Sequence, residues 1–155
     1  MKQVAVALLL ALSAPAAAVA ACQPIPITTD GSAAFSAVSI ASGAVTTAGF
    51  PINPYTQIVI RATVTDASDG VTNIRYKITE SATYAGTYGP YCEATVSGGV
   101  YTCEWRQLDW NHTDAQEGKE ARIELPATGR FWKITATPTG HGAGDTITIT
   151  AEGCT

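Results

Sequence analysis

The sequence predicts an all-β fold, an antiparallel β-sandwich of seven to nine strands linked by disulfides. Apolar and polar residues alternate along many short segments, which is the pattern of strands with one buried face. Gly, Pro, Asn, Asp and Ser separate these segments at short intervals, while helical periodicity is scarce. Because each half-buried strand leaves one apolar face to be covered, two facing sheets are the expected arrangement.

The alternation is clearest in residues 57–80. Each half of this stretch places apolar side chains on one face, and the turn residues of 66–70 separate the halves. The apolar positions are Ile58, Ile60, Ala62, Val64, Ile74, Tyr76 and Ile78. Two strands joined by a short turn form a β-hairpin, so we predict that the halves pair with each other and that a second layer covers them.

Further strands are predicted on both sides of this stretch. Residues 23–30 hold two prolines and fit an edge strand or a lead-in segment, and weaker strands lie between 35 and 47. The inward positions predicted for the last two strands are Trp132, Ile134, Ala136, Ile147, Ile149 and Ala151. Residues 106–120 are the least strand-like, and a capping-box pattern there favours a short helix over 114–119.

The cysteines predict two disulfides. They are Cys22, Cys92, Cys103 and Cys154. In a second predicted hairpin, a turn centred on 97–98 places Cys92 opposite Cys103, where directly opposed Cβ atoms lie about 4.5–5.5 Å apart, near disulfide range. A four-residue loop makes this a close, non-hydrogen-bonded pair, whereas a two-residue loop does not, so we favour the longer loop. Cys22 then pairs with Cys154 and joins the first strand to the last.

Residues 1–21 resemble an export signal. Lys2 gives a positive start, an apolar core follows, and residues 18–20 fit a small-residue cleavage site. The apolar core of about ten residues is too short to cross a bilayer as a helix, and no later stretch is long and apolar enough, so we predict no membrane span. We therefore expect one mature domain, residues 22–155, secreted or at the cell surface, with the periplasm as another destination. The alanine-rich signal resembles bacterial ones.

A second interpretation of this region starts from residues 19–22, which also resemble a bacterial lipoprotein box with Cys22 as the acylated residue. Lipidation of Cys22 would leave three thiols in an oxidising compartment, hence one without a partner. The even number of cysteines therefore favours two disulfides over a lipid anchor.

Three segments together resemble a bacterial immunoglobulin-like domain: VIRATVTDASDGVTNIRYKI, YTCEWRQ and LPATGRFWKITATPTGHGAGDTITITAE. The resemblance covers roughly residues 59–152 with interruptions. It implies an immunoglobulin-like sandwich and carries almost no information on function. The chain departs from the family at 140–145, where many members have Asp-x-x-Gly-Asn, in the insertion at 106–120, and in its four cysteines. These departures favour a stand-alone domain, and no internal repeat is visible.

Composition and motifs argue against nucleic-acid binding and catalysis. Only 14% of residues are charged, the net charge is -4, and the basic residues form no dense run. His112 and His141 are the two histidines, both in predicted loops, and no Gly-x-Ser-x-Gly elbow is present. Glu93 and Glu104 fall on the outer face of a hairpin, where solvated surface is a simpler interpretation than a glycosidase pair. We predict a protein that is not an enzyme and needs no cofactor.

Two groups of side chains are weak metal candidates, so no metal site is assigned. Asp66 and Asp69 flank a turn, and some immunoglobulin-like modules bind calcium at such loops. Asp side chains in turns more often hydrogen-bond nearby backbone, which is the favoured interpretation. The second group matches no known ligand spacing and consists of Asp109, His112, Asp114 and Glu117.

Four aromatic residues lie in predicted loops: Tyr84, Tyr88, Tyr91 and Trp110. Exposed together they would form a platform for another protein or for a sugar, and they are equally compatible with lids over the ends of the sandwich. Threonine-rich outer faces and a pairable edge such as 23–30 would permit strand addition between subunits. We expect an exported binding or structural domain that acts through protein–protein contact or assembly into a surface structure. A carbohydrate-binding module using these aromatics is the alternative.

Overall fold

The computed structural model describes residues 21–90, 93–97, 100–104, 107–110 and 120–155, and every regular element in them is a β-strand. The strands are β1 (Cys22–Ile25), β2 (Val38–Ser39), β3 (Val45–Thr46), β4 (Phe50–Pro51), β5 (Gln57–Thr65), β6 (Asn73–Ser81), β7 (Gly89–Pro90), β8 (Glu93–Ser97), β9 (Val100–Glu104), β10 (Gln107–Trp110), β11 (Glu120–Pro126), β12 (Phe131–Thr139) and β13 (Thr146–Cys154). The count exceeds the predicted seven to nine because four of these strands are two residues long.

The strands form two antiparallel layers, which confirms the predicted all-β arrangement. The first sheet has the order β1-β13-β5-β11, with β2 also on β13. The second sheet has the order β10-β6-β12-β3, with β4 also on β12 and β7 on β6. Strands β8 and β9 form a separate antiparallel hairpin. The helix predicted over 114–119 lies outside the described residues.

The predicted pairing of β5 with β6 is wrong, because the two strands belong to different sheets. Strand β5 lies between β13 and β11, and β6 lies between β12 and β10. The loop 66–72 therefore crosses from one layer to the other. Alternation shows that each strand has one buried face. Two neighbouring strands of one sheet give this pattern, and so do two strands from different sheets that face the same core. The pattern alone did not separate these cases.

The core fills the space between the two layers. The predicted inward residues of β5, β6, β12 and β13 are buried, each at most 6% exposed. Trp132 is completely buried, and its indole N–H donates to the Thr128 carbonyl oxygen at 2.8 Å, so its one polar group is satisfied. Residues from short strands and loops complete the core: Ile25, Ile27, Phe35, Ile40, Phe50 and Ile52.

Strand β1 is an edge strand, as predicted for this segment. It pairs with β13 from Cys22 opposite Cys154 to Ile25 opposite Ala151. Residues 26–34 then leave the sheet as a short excursion, closed by an isolated bridge between its two arms. The chain then returns to β13, where the Phe35 carbonyl oxygen accepts a hydrogen bond from the Ile149 amide. Strand β2 continues along the same edge. One interrupted strand therefore covers this side of β13.

The predicted disulfide between Cys22 and Cys154 is present, with a Cα–Cα distance of 4.1 Å. It joins the first and last strands and is compatible with an oxidising extracellular or periplasmic environment. The register predicted for the second hairpin is wrong, since Ala94 lies opposite Cys103 and Ser97 pairs with Val100. Cys92 lies outside the described residues, so its bond to Cys103 stays a prediction.

Removing the terminal disulfide is expected to destabilise the fold substantially. The bond closes a loop with a sequence separation of 132, for which the chain-entropy model gives about 5 kcal/mol. The double variant Cys22→Ser/Cys154→Ser should lower the free energy of unfolding by about 4–5 kcal/mol in urea titrations, and each single variant should lose a similar amount. A loss below about 1 kcal/mol in the double variant would contradict this account.

For Tyr76 we predict a substitution that does not lower the free energy of unfolding. Its side chain is buried in the core, its hydroxyl has no hydrogen-bond partner in the described part of the chain, and burial raises the pKa of Tyr76. Because an unpartnered hydroxyl costs desolvation energy, Tyr76→Phe should leave stability unchanged or raise it by about 1 kcal/mol in urea unfolding. Ile78→Ala, a neighbour on the same face, should lose about 2–5 kcal/mol as the control. A clear loss in Tyr76→Phe would show that the hydroxyl is bonded.

Candidate functional site

The loop 82–88, between β6 and β7, carries two of the four predicted loop aromatics and folds over the outer face of β12. The Tyr84 ring meets the Phe131 ring edge to face, with centroids 6.1 Å apart and planes at 80°. The Lys133 ammonium lies 4.3 Å from the centroid of the Tyr88 ring. The Tyr88 hydroxyl donates to the Tyr84 carbonyl oxygen at 2.9 Å. We call Tyr84, Tyr88, Phe131 and Lys133 the aromatic patch.

Strand geometry places the β12 half of the patch. Phe131 and Lys133 alternate with the buried Trp132 and Ile134, so they point away from the core. Their outward direction was predicted from the alternation, but their role was not. The tyrosines reach them because β7 pairs with β6 at Thr79 and Glu80, which returns the loop over the sheet. No local sequence signal encodes this return.

The patch has one projecting member and a fixed base. Tyr84 is 48% exposed, and no other large hydrophobic side chain among the described residues is classed as exposed. Tyr88 is half-buried, and this burial, with Tyr84 nearby, raises the pKa of Tyr88. A cation over an aromatic face contributes about 0.5–1 kcal/mol at exposed sites. Tyr88 and Lys133 therefore hold the loop, and Tyr84 is the side chain available to a partner.

Two glycines allow neighbouring loops to approach the tyrosines closely. A Cβ atom at Gly49 would clash with the Tyr88 hydroxyl, and one at Gly31 would lie 2.9 Å from the Tyr84 hydroxyl oxygen. Gly31 also has a φ of 98°, which favours glycine. The 26–34 excursion therefore approaches the hydroxyl of Tyr84, and the loop at Gly49 approaches that of Tyr88.

The other two aromatic residues predicted to lie in loops are Trp110 and Tyr91. Trp110 is the last residue of β10 and pairs with Ile74, so it lies in a strand and not in a loop. Its side chain and all of Tyr91 lie outside what the structure describes. The structure therefore brings together Tyr84 and Tyr88, and adds Phe131 and Lys133, which sequence reasoning missed as site residues.

The residues considered for catalysis do not form a described site. Glu93 and Glu104 are directly opposite each other at the open end of the β8–β9 hairpin. His141 is exposed and lies in the loop 140–145, as expected, and His112 is outside the described residues. Within the ranges that the structure describes, no group of three or more His, Cys, Asp or Glu side chains could hold a metal ion.

Asp66 and Asp69 have different environments. Asp66 is buried, and its carboxylate accepts the Gly70 and Val71 amides at 3.0 and 3.1 Å, which is a turn-capping role. Asp69 is exposed, with a φ of 54° at the tip of the turn. Of the second candidate group, Asp109 lies in β10 opposite Arg75, and the others lie outside the described residues.

Asp145, which sequence reasoning missed, joins the two loops at this end of the sandwich. It is fully buried and accepts hydrogen bonds from the Ser68 amide at 2.9 Å, the Ser68 hydroxyl at 2.7 Å and the Gly142 amide at 2.6 Å. Burial raises the pKa of this carboxyl, but the hydrogen bonds outweigh it and the net effect is a lowered pKa. The sequence feature that could have identified Asp145 is weak: an Asp that directly follows a glycine-rich loop and precedes a strand.

Comparison with known proteins gave no match: no family model, no curated protein and no solved structure is significantly similar to this chain. In the described ranges, no helix is long and apolar enough to cross a membrane.

Asp145 predicts a pH dependence of stability. Its folded-state pKa is below the unfolded value of about 3.9, so its contribution is complete above that value and is lost as the pH falls through the lowered folded-state pKa. Asp145→Asn should lose about 2–3 kcal/mol at pH 7 in urea unfolding, because hydrogen bonds to a buried charge are lost. The difference from the unmodified protein should shrink from about pH 5 downward.

The exposed Asp69→Asn is the matched control for this measurement, with an expected change within about 0.5 kcal/mol. A difference for Asp145→Asn that stays constant between pH 7 and pH 3 would show that the ionised carboxylate is not the stabilising form.

Proposed function

We propose that the protein is an exported, non-enzymatic binding domain that acts through protein–protein contact, including self-association, at the cell surface or outside the cell. The observation that carries this proposal is the aromatic patch, in which a fixed base supports one exposed tyrosine. Tyrosine is enriched among the residues that dominate binding energy at protein interfaces, and a rigid base lowers the entropy cost of using it. The fold beneath it supplies a stable sheet.

The geometry of the patch favours a protein partner over a sugar. A sugar ring stacks on an open, flat aromatic face, but the face of Tyr88 is covered by the Lys133 ammonium. The Tyr84 and Phe131 rings are nearly perpendicular, so they do not form one continuous platform. A projecting tyrosine beside a cation instead fits a pocket with an acidic rim on a protein surface. The carbohydrate-binding alternative depends on Tyr84 alone among the described residues.

The charges on the two outer faces support self-association. Outward positions of β6 and β12 carry three cations, Lys133 in the patch and Lys77 and Arg75 further along the sheet, and Asp109 of β10 lies opposite Arg75. The outer face of the first sheet carries three glutamates beside two arginines: Glu120, Glu124 and Glu152, with Arg61 and Arg122. Opposite faces of unlike net charge steer copies of one chain towards each other. This contact would be heterologous and so would extend beyond a dimer.

The immunoglobulin-like assignment and the export route are parts of the same proposal. Two antiparallel layers around one core that contains a buried tryptophan support the assignment at the level of sandwich architecture. The terminal disulfide supports export, because such bonds persist in oxidising compartments. It also uses the Cys22 sulfur that the lipoprotein hypothesis would acylate, which favours signal cleavage without lipidation.

Tyr84→Ala should weaken self-association about 30-fold or more, as expected for an interface residue worth about 2 kcal/mol. The measurement is sedimentation of the oxidised mature protein over a range of concentrations. Ala143→Ser, an exposed residue in the loop 140–145 and outside both sheets, is the control and should behave like the unmodified protein. Lys133→Gln should weaken association through loss of the fixed loop.

Two results would overturn the proposal. Association of Tyr84→Ala equal to that of the unmodified protein would exclude the patch as the contact. Binding of a glycan on an array, lost in Tyr84→Ala, combined with no self-association, would favour the carbohydrate-binding alternative.

A further inference from the structure

We propose that residues 22–28 exchange between copies of the chain, so that this segment pairs with β13 of a second copy and Cys22 bonds to Cys154 of that copy. We call residues 22–28 the exchange segment. The inference rests on the proposed function in protein–protein assembly and deepens it by naming the exchanged strand and the covalent link. Exchange of an identical element is a low-cost route to assembly, because the second copy offers the same contacts as the first.

The exchange segment has a short ladder compared with the nine-residue strands β5, β6, β12 and β13. It begins with the four-residue edge strand β1, whose pairing in the described structure is to β13 alone. Pro24 and Pro26 have no amide hydrogen, so they cannot donate to the ladder. A cleft of about 460 Å³ runs beside the segment, lined in part by Pro24, Pro26, Ser32 and Thr148. The segment is therefore open to solvent along this cleft, while Ile25 and Ile27 are its buried anchors.

A five-residue turn at 29–33 connects the segment to the rest of the chain and can serve as the hinge. Its hydrogen bonds are local: the Thr29 amide donates to the Ala33 carbonyl oxygen, and Asp30 accepts the Ser32 and Ala33 amides at 3.0 and 3.2 Å. These bonds hold the pKa of Asp30 at about 2. Opening the turn breaks these local bonds and leaves the two sheets intact. Extended, five residues span about 17 Å.

The remaining contacts of the segment can be remade in a second copy. Ile25 and Ile27 are buried in the core, and the same core positions exist in every copy. The Ile27 carbonyl accepts the Phe35 amide and the Thr28 carbonyl accepts the Ala48 amide, and both donors belong to the body of the domain. The net change on exchange is then the hinge conformation and the loss of independent motion of two chains.

The cysteines make the exchange permanent. Cys22 and Cys154 are directly opposite in the register of β1 on β13, so an exchanged strand brings Cys22 next to Cys154 of the second copy. Forming the bond removes two protons and two electrons from the two thiols, and a disulfide oxidant such as oxidised glutathione accepts them and yields two molecules of glutathione. Reciprocal exchange gives a dimer with two such bonds, and sequential exchange gives a linked chain.

The test is refolding of the mature protein from the reduced, unfolded state with oxidised glutathione, using equal amounts of normal and heavy-isotope-labelled chains. We expect peptides that join Cys22 of one isotope to Cys154 of the other, detected by mass spectrometry without reduction. Their fraction should rise at least about fivefold when the protein concentration rises from about 10 µM to about 1 mM, because exchange between chains follows mass action. Hybrid bonds absent at every concentration would overturn the proposal.

Two variants of Asp30 test whether opening of the hinge turn controls the exchange. Asp30→Ala removes the acceptor that holds the closed turn and should raise the hybrid fraction about threefold or more, whereas Asp30→Asn keeps the Oδ1 acceptor and should not. Hybrid bonds dominated by Cys22 to Cys22 would show random oxidation and contradict exchange. Tyr84→Ala should retain hybrid bonds. Hybrid bonds in a protein whose patch does not mediate association would support exchange and contradict the proposed function. Association through the patch without hybrid bonds would contradict exchange and leave the proposed function standing.

Discussion

The passage of the chain from β5 in one sheet to β6 in the other is the constraint on which the rest of the structure depends. Each strand is central in its own sheet, and the loop 66–72 must carry the chain from one layer to the other. A crossing loop leaves backbone amides near the core that no ladder can satisfy. Asp66 and Asp145 accept these amides, which explains why two carboxylates are buried at this end. The crossing therefore determines both the order of the strands and the position of the buried charges.

The two ends of the sandwich serve different purposes as a result. The crossing end is closed by buried carboxylates and by short hydrogen bonds between loops 66–72 and 140–145. At the opposite end lie the start of β12, the end of β13 and the loop after β6. The aromatic patch and the terminal disulfide are both there. Rigidity at one end allows the loops at the other to present side chains without loss of stability.

The sequence alone predicted which residues are buried far better than which strands are neighbours. Period-two alternation identified the inward faces of β5, β6, β12 and β13, because burial of one face depends on local pattern. It did not distinguish a hairpin from a crossing, since both give the same alternation. The Cys22–Cys154 bond was predicted by pairing the remaining cysteines, although the register assumed for Cys103 was wrong. The patch was half predicted, because Tyr84 and Tyr88 meet Phe131 and Lys133 only through the return of a loop.

The placement of the terminal disulfide links the fold to the proposed assembly. A bond between the first and last strands closes a long loop and therefore stabilises a single copy strongly. The same bond lies on an edge strand that pairs with β13 alone in the described structure, where it would fix which copy holds the segment when oxidation occurs. The tip of the hinge turn, Gly31, lies beneath the Tyr84 hydroxyl, so the loop that would open is also a neighbour of the proposed contact surface. Exchange and association at the patch would then involve adjoining surfaces, and neither would require the other.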